Sequence, residues 1–537
     1  MKVITSVSLF RLLVLLAAVS LPALAQNDGE SNGPKAKPPA FEHVGFYTHG
    51  GWVFDYPFAP RAWQRADYAG MFGLLQKMGY DTAMIWPLLE AIPMPLTAAD
   101  RAEIEAFRPT LQNARDAGLR IWLAQCPNLT TPPALGSVPW RRRNPYPVMR
   151  TIRFDNAAET SEFFAHRAAM LAILNNADGY VTIDGDPGGY AGASPQDFVK
   201  IFLADHATIA AHGTHPARQS VIPWLWCGWG TDGVWAQPVE PFLRAEIEAL
   251  RTALPEPWEM LPGRSARGHA NGRVNMTLTA EYGLAPRSTL LFYEAIEYEP
   301  VPPAAHLQFD LIRSFFKDES ALRGQARGVM GNAQQPVMAL PNIYFFARCA
   351  RDAAYLDTAT DTVLDDFAAL LGGPAELLRP AWKCLTLPLA ELPADFPARL
   401  RAARLTGEAA ALIPGGPALY LDLLAAQVES RRRMLSAMML PTATPAEAAA
   451  AIAEGTAALA AWWERHHFVG GSDPGTPFAW SFVNNIQYDA LAHWTRASIA
   501  DKAAVAPLAA LELVQRGVLS EPTATQAVRQ LLDLRTP

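Results

Sequence analysis

The chain has 537 residues, is 50% hydrophobic and 18% charged, and holds four cysteines. A chain of this size and composition buries a core without disulfide staples, which excludes a disordered protein and a small disulfide scaffold. The net charge of −7 speaks against nucleic acid as a partner, because phosphate neutralisation needs a clustered cationic face and the basic runs are only Arg141-Arg142-Arg143 and Arg431-Arg432-Arg433.

In chain order, 1–25 (MKVITSVSLFRLLVLLAAVSLPALA) place Lys2 and Arg11 ahead of an apolar stretch and end in small residues. That is the pattern of a secretory signal cut before Gln26, which implies a periplasmic or extracellular protein. A membrane anchor fits less well, since the apolar run breaks at Pro22 short of the roughly 20 residues of a span. No stable span is expected after cleavage. Residues 26–40, polar and rich in Pro and Gly, read as a linker.

Eight strand patterns follow, at 43–47, 82–86, 120–124, 179–183, 221–226, 258–261, 289–293 and 328–330, with 274–278 competing for the sixth. Helical patterns at 66–78, 98–117, 158–175, 195–211 and 241–254 separate them. The alternation predicts an α/β fold, a (β/α)8 TIM barrel over 41–341. A doubly wound sheet would carry a Gly-rich phosphate turn after the first strand, and THGGWVFDY there has no GxGxxG. From 342 to 537 strand signals vanish and helical periodicity recurs at 362–371, 418–438, 445–466 and 504–516, which predicts an all-α C-terminal helical domain. Cys126, Cys227, Cys349 and Cys384 show no CxxC spacing, so free thiols are expected and no zinc.

Barrel active sites lie at the C-terminal ends of the strands. The residues just past each strand are therefore the candidates: His49 and Trp52, Glu90, Gln125 and Asn128, Asp184 and Asp186, Trp229 and Trp235, Arg264, Arg267 and His269, Glu294 and Glu297, Asn332 and Gln334. Carboxylates, carboxamides and tryptophans suit sugars, which offer apolar C–H faces to rings and hydroxyls to polar groups. Cleaving a glycosidic bond takes two carboxyl groups, and Asp184 or Asp186 with Glu294 or Glu297 are the catalytic candidates. His49, Trp52, Glu90, Gln125, Asn128, Trp229, Arg264, Asn332 and Gln334 are the candidates for binding substrate.

Each has a plainer alternative. DGDPGG at 184–189 also reads as a turn whose Asp side chains bond their own backbone, or as a DxD metal motif, though few further ligands lie nearby. EAIEYE at 294–299 also reads as a solvated acidic loop. Trp86, Trp122, Trp224 and Trp226 sit within apolar strands and read as core. Arg264 and Arg267 either grip an anionic sugar or form salt bridges. No cofactor and no metal are expected, and a Ser-His-Asp site fails for want of a GxSxG elbow.

Three stretches, GFYTHGGWVFDYPFAP, DGYVTIDGDPGGY and GVMGNAQQPVMALPNIYFFAR, carry a resemblance. The layout resembles secreted (β/α)8 glycoside hydrolases with a C-terminal helical domain, such as the family 20 and 84 hexosaminidases and the family 67 α-glucuronidases. Gly185 stands between Asp184 and Asp186, where family 20 has adjacent Asp-Glu and family 84 adjacent aspartates. What the resemblance implies is a two-carboxylate mechanism on a carbohydrate, with Asp184 or Asp186 as acid and Glu294 or Glu297 as base or nucleophile. The rival expectations are a non-catalytic carbohydrate-binding barrel and a polysaccharide lyase built on Arg264 and His269.

Overall fold

The computed structural model describes residues 40–51, 56–143, 149–184, 194–226, 239–265, 270–297, 307–383 and 392–436. Eight parallel strands close a barrel: β1 (His43–His49), β2 (Thr82–Trp86), β3 (Arg120–Gln125), β4 (Gly179–Ile183), β5 (Ser220–Leu225), β6 (Leu261–Ser265), β7 (Thr289–Tyr293) and β8 (Gly328–Asn332). The ring runs in chain order and closes where His43 to Tyr47 pair with Gly328 to Asn332. Each strand is followed by a helix: α1 (Arg65–Met78), α2 (Ala98–Asp116), α3 (Ala157–Ile173), α4 (Pro195–His212), α5 (Val239–Ala253), α6 (Ala270–Glu281), α7 (Phe309–Asp318) and α8 (Leu340–Arg351). This is the expected (β/α)8 barrel with a helical region after it.

Local chemistry places these elements. Strands such as β2 and β4 are buried along their whole length, as continuous apolar runs under a helical layer should be. Thr97, Asn156 and Ser194 cap α2, α3 and α4 by accepting backbone N–H groups of the first turn, which satisfies donors the helix itself cannot pair.

The barrel interior is unusually aromatic, and glycines on facing strands make the room. A Cβ on Gly179 would lie 2.6 Å from Trp122 Cδ1, and one on Gly263 would lie 2.7 Å from Trp226 Cε3. These contacts fix the inward face of each strand, because successive side chains alternate. Trp122, Gly179, Ile222, Trp224 and Gly263 point in.

The sixth strand differs from expectation. It spans Leu261–Ser265 rather than 258–261, and Trp258 makes only an isolated bridge to Val221. The Pro262-Gly263 pair carries a turn signal, yet Gly263 is there because only it fits under Trp224 and Trp226.

Charged side chains close the N-terminal end. Glu259 pairs with Arg120 and, at 3.2 Å, with Arg327, and Asp81 pairs with Arg351 and, at 3.4 Å, with His43. Beyond the barrel come α9 (Thr360–Leu371), α10 (Ala375–Lys383), α11 (Phe396–Ala402) and α12 (Gly416–Ser436). The segment before α12 lies on α1, where a Cβ on Gly70 would meet the Leu412 carbonyl at 2.6 Å and Lys77 pairs with Glu408 at 2.9 Å. Since α8 is the helix of the eighth βα unit, the domain boundary expected at 341/342 falls inside it. The helices expected at 445–466 and 504–516 lie outside the described residues, as do Cys227 and Cys384. Cys126 and Cys349 are buried free thiols. Among the described residues no helix is long and apolar enough to cross a membrane.

Candidate active site

The C-terminal end of the barrel is floored by rings. Tyr47 and His49 of β1, Trp86 of β2, Trp224 and the adjacent Trp226 of β5, and Tyr293 of β7 form one cluster. Centroids lie 5.3 Å apart for Tyr47 and Trp224, 4.5 Å for His49 and Trp86, and 4.7 Å for Trp226 and Tyr293. Edge-to-face and tilted contacts of this kind add about 0.5–1.5 kcal/mol each beyond burial. The indole Nε1 atoms of Trp224 and Trp226 are buried without a partner among the described residues. Trp86, Trp122, Trp224 and Trp226, read from sequence as core, are buried, and all but Trp122 belong to this cluster.

His49 is buried, and its Nδ1 accepts the Gly51 N–H at 2.8 Å, which leaves the ring hydrogen on Nε2. Burial first and the nearby Arg61 charge second lower its pKa to about 3, so the ring is neutral at physiological pH.

Glu90 stands four residues beyond Trp86. Its Oε1 accepts the Trp86 indole N–H at 2.7 Å and the Cys126 thiol at 3.3 Å, while Oε2 is buried without a partner among the described residues. Burial raises its pKa, outweighing hydrogen bonds from its own backbone, Cys126 and Trp86. The turn that carries it starts at Leu88, whose φ is +64°.

Glu294 follows β7 on a turn closed by the Ala295 N–H donating to the Phe292 carbonyl at 3.2 Å. Its φ is +67° and it is fully buried. That backbone region suits glycine and costs other residues of order 1–3 kcal/mol. The Asn332 side-chain oxygen accepts the Glu294 N–H at 2.6 Å, and Asn332 Nδ2 has no partner among the described residues. Gln334 Nε2 reaches the Tyr293 hydroxyl at 3.4 Å.

The remaining candidates are placed elsewhere. Glu297 Oε2 accepts the backbone N–H groups of Gln334 and Gln335 at 2.5 and 2.7 Å, which ties the loop after β7 to the loop after β8. Asp184 is fully buried one residue past β4, where its Oδ1 accepts the Trp226 N–H at 2.9 Å. Alternation along β4 gives it the outward side of Thr182, which bonds Arg167 of α3, and its neighbour in α5 is Glu246. Burial first and the Asp184 carboxyl second push the pKa of Glu246 well above the carboxylate range.

Gln125 also faces outward, 3.4 Å from Asp205 of α4, and Asn128 pins the loop after β3 through the Ile152 carbonyl at 2.7 Å. Arg264, expected beyond the sixth strand, lies within β6 facing outward. It is held by Asp318 and Glu319 at the end of α7 and lies over the Phe315 ring. That outward position removes it from substrate binding. Trp52, Asp186, Trp229, Trp235, Arg267 and His269 lie outside the described residues.

Sequence reasoning missed Glu246 and the pair Trp140 and Arg143. Glu246 had a signal, because it falls on the apolar stripe of Leu243, Ile247 and Leu250. Trp140 Nε1 donates to the Leu88 carbonyl at 2.9 Å and Arg143 Nη1 to the Ala91 carbonyl at 3.2 Å, contacts between loops that no local pattern announces. Among the described residues no group of three or more His, Cys, Asp or Glu is placed to hold a metal ion.

Strand order and site together define a (β/α)8-barrel protein with a carboxyl-bearing aromatic mouth. No family model and no curated protein matches the chain. Among solved structures it is similar to a family 138 glycoside hydrolase targeting pectin rhamnogalacturonan II, at 12% identity and TM-score 0.45, over 90% of this chain and 69% of that one. It is also similar to a mutant O-GlcNAc hydrolase of Thermobaculum terrenum, at 11% identity and TM-score 0.42, over 92% and 94%. A third is a family 115 4-O-methyl-α-glucuronidase, at 11% identity and TM-score 0.44, over 79% of this chain and 59% of that one. The barrel is defined by its own strand order and register, not by these likenesses.

Proposed function

We propose that this protein hydrolyses glycosidic bonds of a poly- or oligosaccharide, with two carboxyl groups acting at the C-terminal mouth of the barrel. The observation that carries this reading is Glu294, a buried carboxyl on a left-handed turn at the rim of an aromatic floor. Ring faces suit the C–H faces of a sugar, and Trp226 Nε1 and Asn332 Nδ2, without partners among the described residues, are donors for its hydroxyls. Hydrolysis needs one carboxyl to protonate the leaving oxygen and one to attack the anomeric carbon or to activate water. Glu294 takes the second role. Glu297, whose Oε2 is committed to two backbone N–H groups, braces the rim. Asp186, the acid expected from sequence, lies outside the described residues.

The test is a panel of poly- and oligosaccharides incubated with the protein lacking residues 1–25. The reading requires release of reducing ends from at least one glycan, and a loss of roughly 10³-fold or more in Glu294→Gln. Binding without cleavage is a second reading, favoured by Asp184 being turned toward Glu246 and away from the mouth. A glycan that is retained but never shortened would establish it. We also propose that residues 1–25 direct export and are removed, so that the protein acts in the periplasm or outside the cell; N-terminal sequencing of the fractionated protein checks this.

A further inference from the structure

We propose that Glu90, on the turn after β2, is the acid of this site, the carboxyl that hands its proton to the leaving oxygen of a saccharide bound over the aromatic floor. The inference rests on the hydrolytic reading of the mouth and assigns it a residue that neither strand four nor strand seven supplies.

Three observations converge on Glu90. The first is where strain is stored. Among the described residues only two that are not glycine have positive φ, Leu88 and Glu294, and each begins or forms a turn that carries a buried carboxyl past the C-terminal end of a strand. Strain of this kind persists where the surroundings over-determine it. At Leu88 they do, since Trp140 holds its carbonyl and Arg143, paired with Asp100 at 2.5 Å, holds that of Ala91.

The second is how the carboxyl is held. Trp86 and Cys126 both bind Oε1 and leave Oε2 buried and bare. An ionised group would strand a charged oxygen there, whereas a protonated one places its hydrogen on Oε2 with no acceptor among the described residues to take it.

The third is the charge around it. Arg143 is neutralised by Asp100, and Arg167, on the Cys126 carbonyl, by Asp205. His49 beyond Trp86 is neutral, His166 binds the Ile92 carbonyl at 3.1 Å, and Arg61 is directed to the carbonyls of Arg141 and Arg143. The hydrogen bonds Glu90 accepts come from uncharged groups, and burial, the largest influence on it, raises its pKa, as for a carboxyl pressed into an apolar pocket beside an indole.

In the step itself, the electron pair of the breaking anomeric C–O bond goes to the leaving oxygen, which takes the Glu90 proton. The anomeric carbon takes the oxygen of a water, directly or after an ester to Glu294. The water's proton ends on Glu294 or returns to Glu90, so one water is consumed per bond.

Two measurements decide the matter. Infrared difference spectra of wild type minus Glu90→Gln should show the carbonyl stretch of a protonated carboxyl at pH 7, since an unperturbed Glu ionises near 4.3. Its absence overturns the proposal whether or not any glycan is cleaved. On the sugar that the panel identifies, Glu90→Gln should lose roughly 10²–10⁴-fold in kcat on the natural glycan but far less on an aryl glycoside whose leaving group needs no proton. Equal losses on both substrates, or this selective loss in Asp186→Asn instead, overturn it. A wild type inert on every glycan sinks the hydrolytic reading and leaves the spectrum to decide the protonation of Glu90.

Discussion

Asn332, the last residue of β8, accepts the backbone N–H of Glu294 at 2.6 Å and so pins, from the neighbouring strand, a residue whose φ is +67°. The protein holds a glutamate where glycine would be at ease, which separates what is good for stability from what is good for the site.

Replacing Glu294 therefore splits the two. Glu294→Gly should be more stable than Glu294→Ala by about 1 kcal/mol, because only the alanine retains a Cβ in the left-handed region, while both lose turnover. Urea midpoints and initial rates on one cleaved glycan test this, and equal midpoints would refute it. In Asn332→Ala the buried Glu294 N–H loses its acceptor, at a cost of about 1–3 kcal/mol.

His49 sets a pH dependence of stability. Its folded pKa is about 3 against an ordinary 6.5, so between those values the unfolded chain binds a proton that the folded one does not. Stability should climb with pH across that window and be complete above it. His49→Asn should flatten the climb, as read from urea midpoints at pH 4, 5, 6 and 7. An unchanged slope would mean that the ring is protonated in the fold.

Glu246 acts with the opposite sign. Its pKa is raised in the fold by burial and by Asp184, so its contribution is present at low pH and is lost as pH rises through the raised value. Glu246→Gln keeps the shape and removes the titration. Its stability relative to wild type should improve steadily from pH 5 to pH 8.5, and a constant difference would count against the buried pair.

At the other end of the barrel, Glu259→Gln should cost about 1–3 kcal/mol while leaving turnover intact. The loss is smaller than the roughly 3–5 kcal/mol of a fully buried pair, because the side chains of Arg120 and Arg327 stay 25% and 33% exposed. Chemical denaturation with parallel kinetics measures both quantities, and a matching fall in kcat would mean that the base of the barrel couples to its mouth.

Much of the fold was legible because periodicity reports burial directly. The apolar runs at 82–86 and 289–293 are strands over those same residues. The sixth strand was not, since Pro262-Gly263 imitates a turn and its real constraint is two tryptophans from another strand. The same shift explains Arg264: a residue counted as beyond a strand proves to be inside one, facing out to Asp318 and Glu319. For the candidate site, position after a strand singled out Glu90 for binding and Glu294 for catalysis, but it gave no sign of which side a carboxyl would take. Asp184 turns outward by the alternation of β4, and Glu297 is captured by two backbone N–H groups from the next loop. Such partners are distant in sequence.

The closure of the ring by β1 against β8 has a kinetic side. The first strand finds β2 early, but its other edge must wait for Gly328 to Asn332, so a growing chain carries that edge unpaired until β8 has been made. Contacts so far apart in sequence slow folding, because loop closure must come before the contacts that reward it. A ribosome-bound chain of this protein therefore has no closed barrel, and no assembled floor of Tyr47, Trp224 and Tyr293, until the last strand is free to dock.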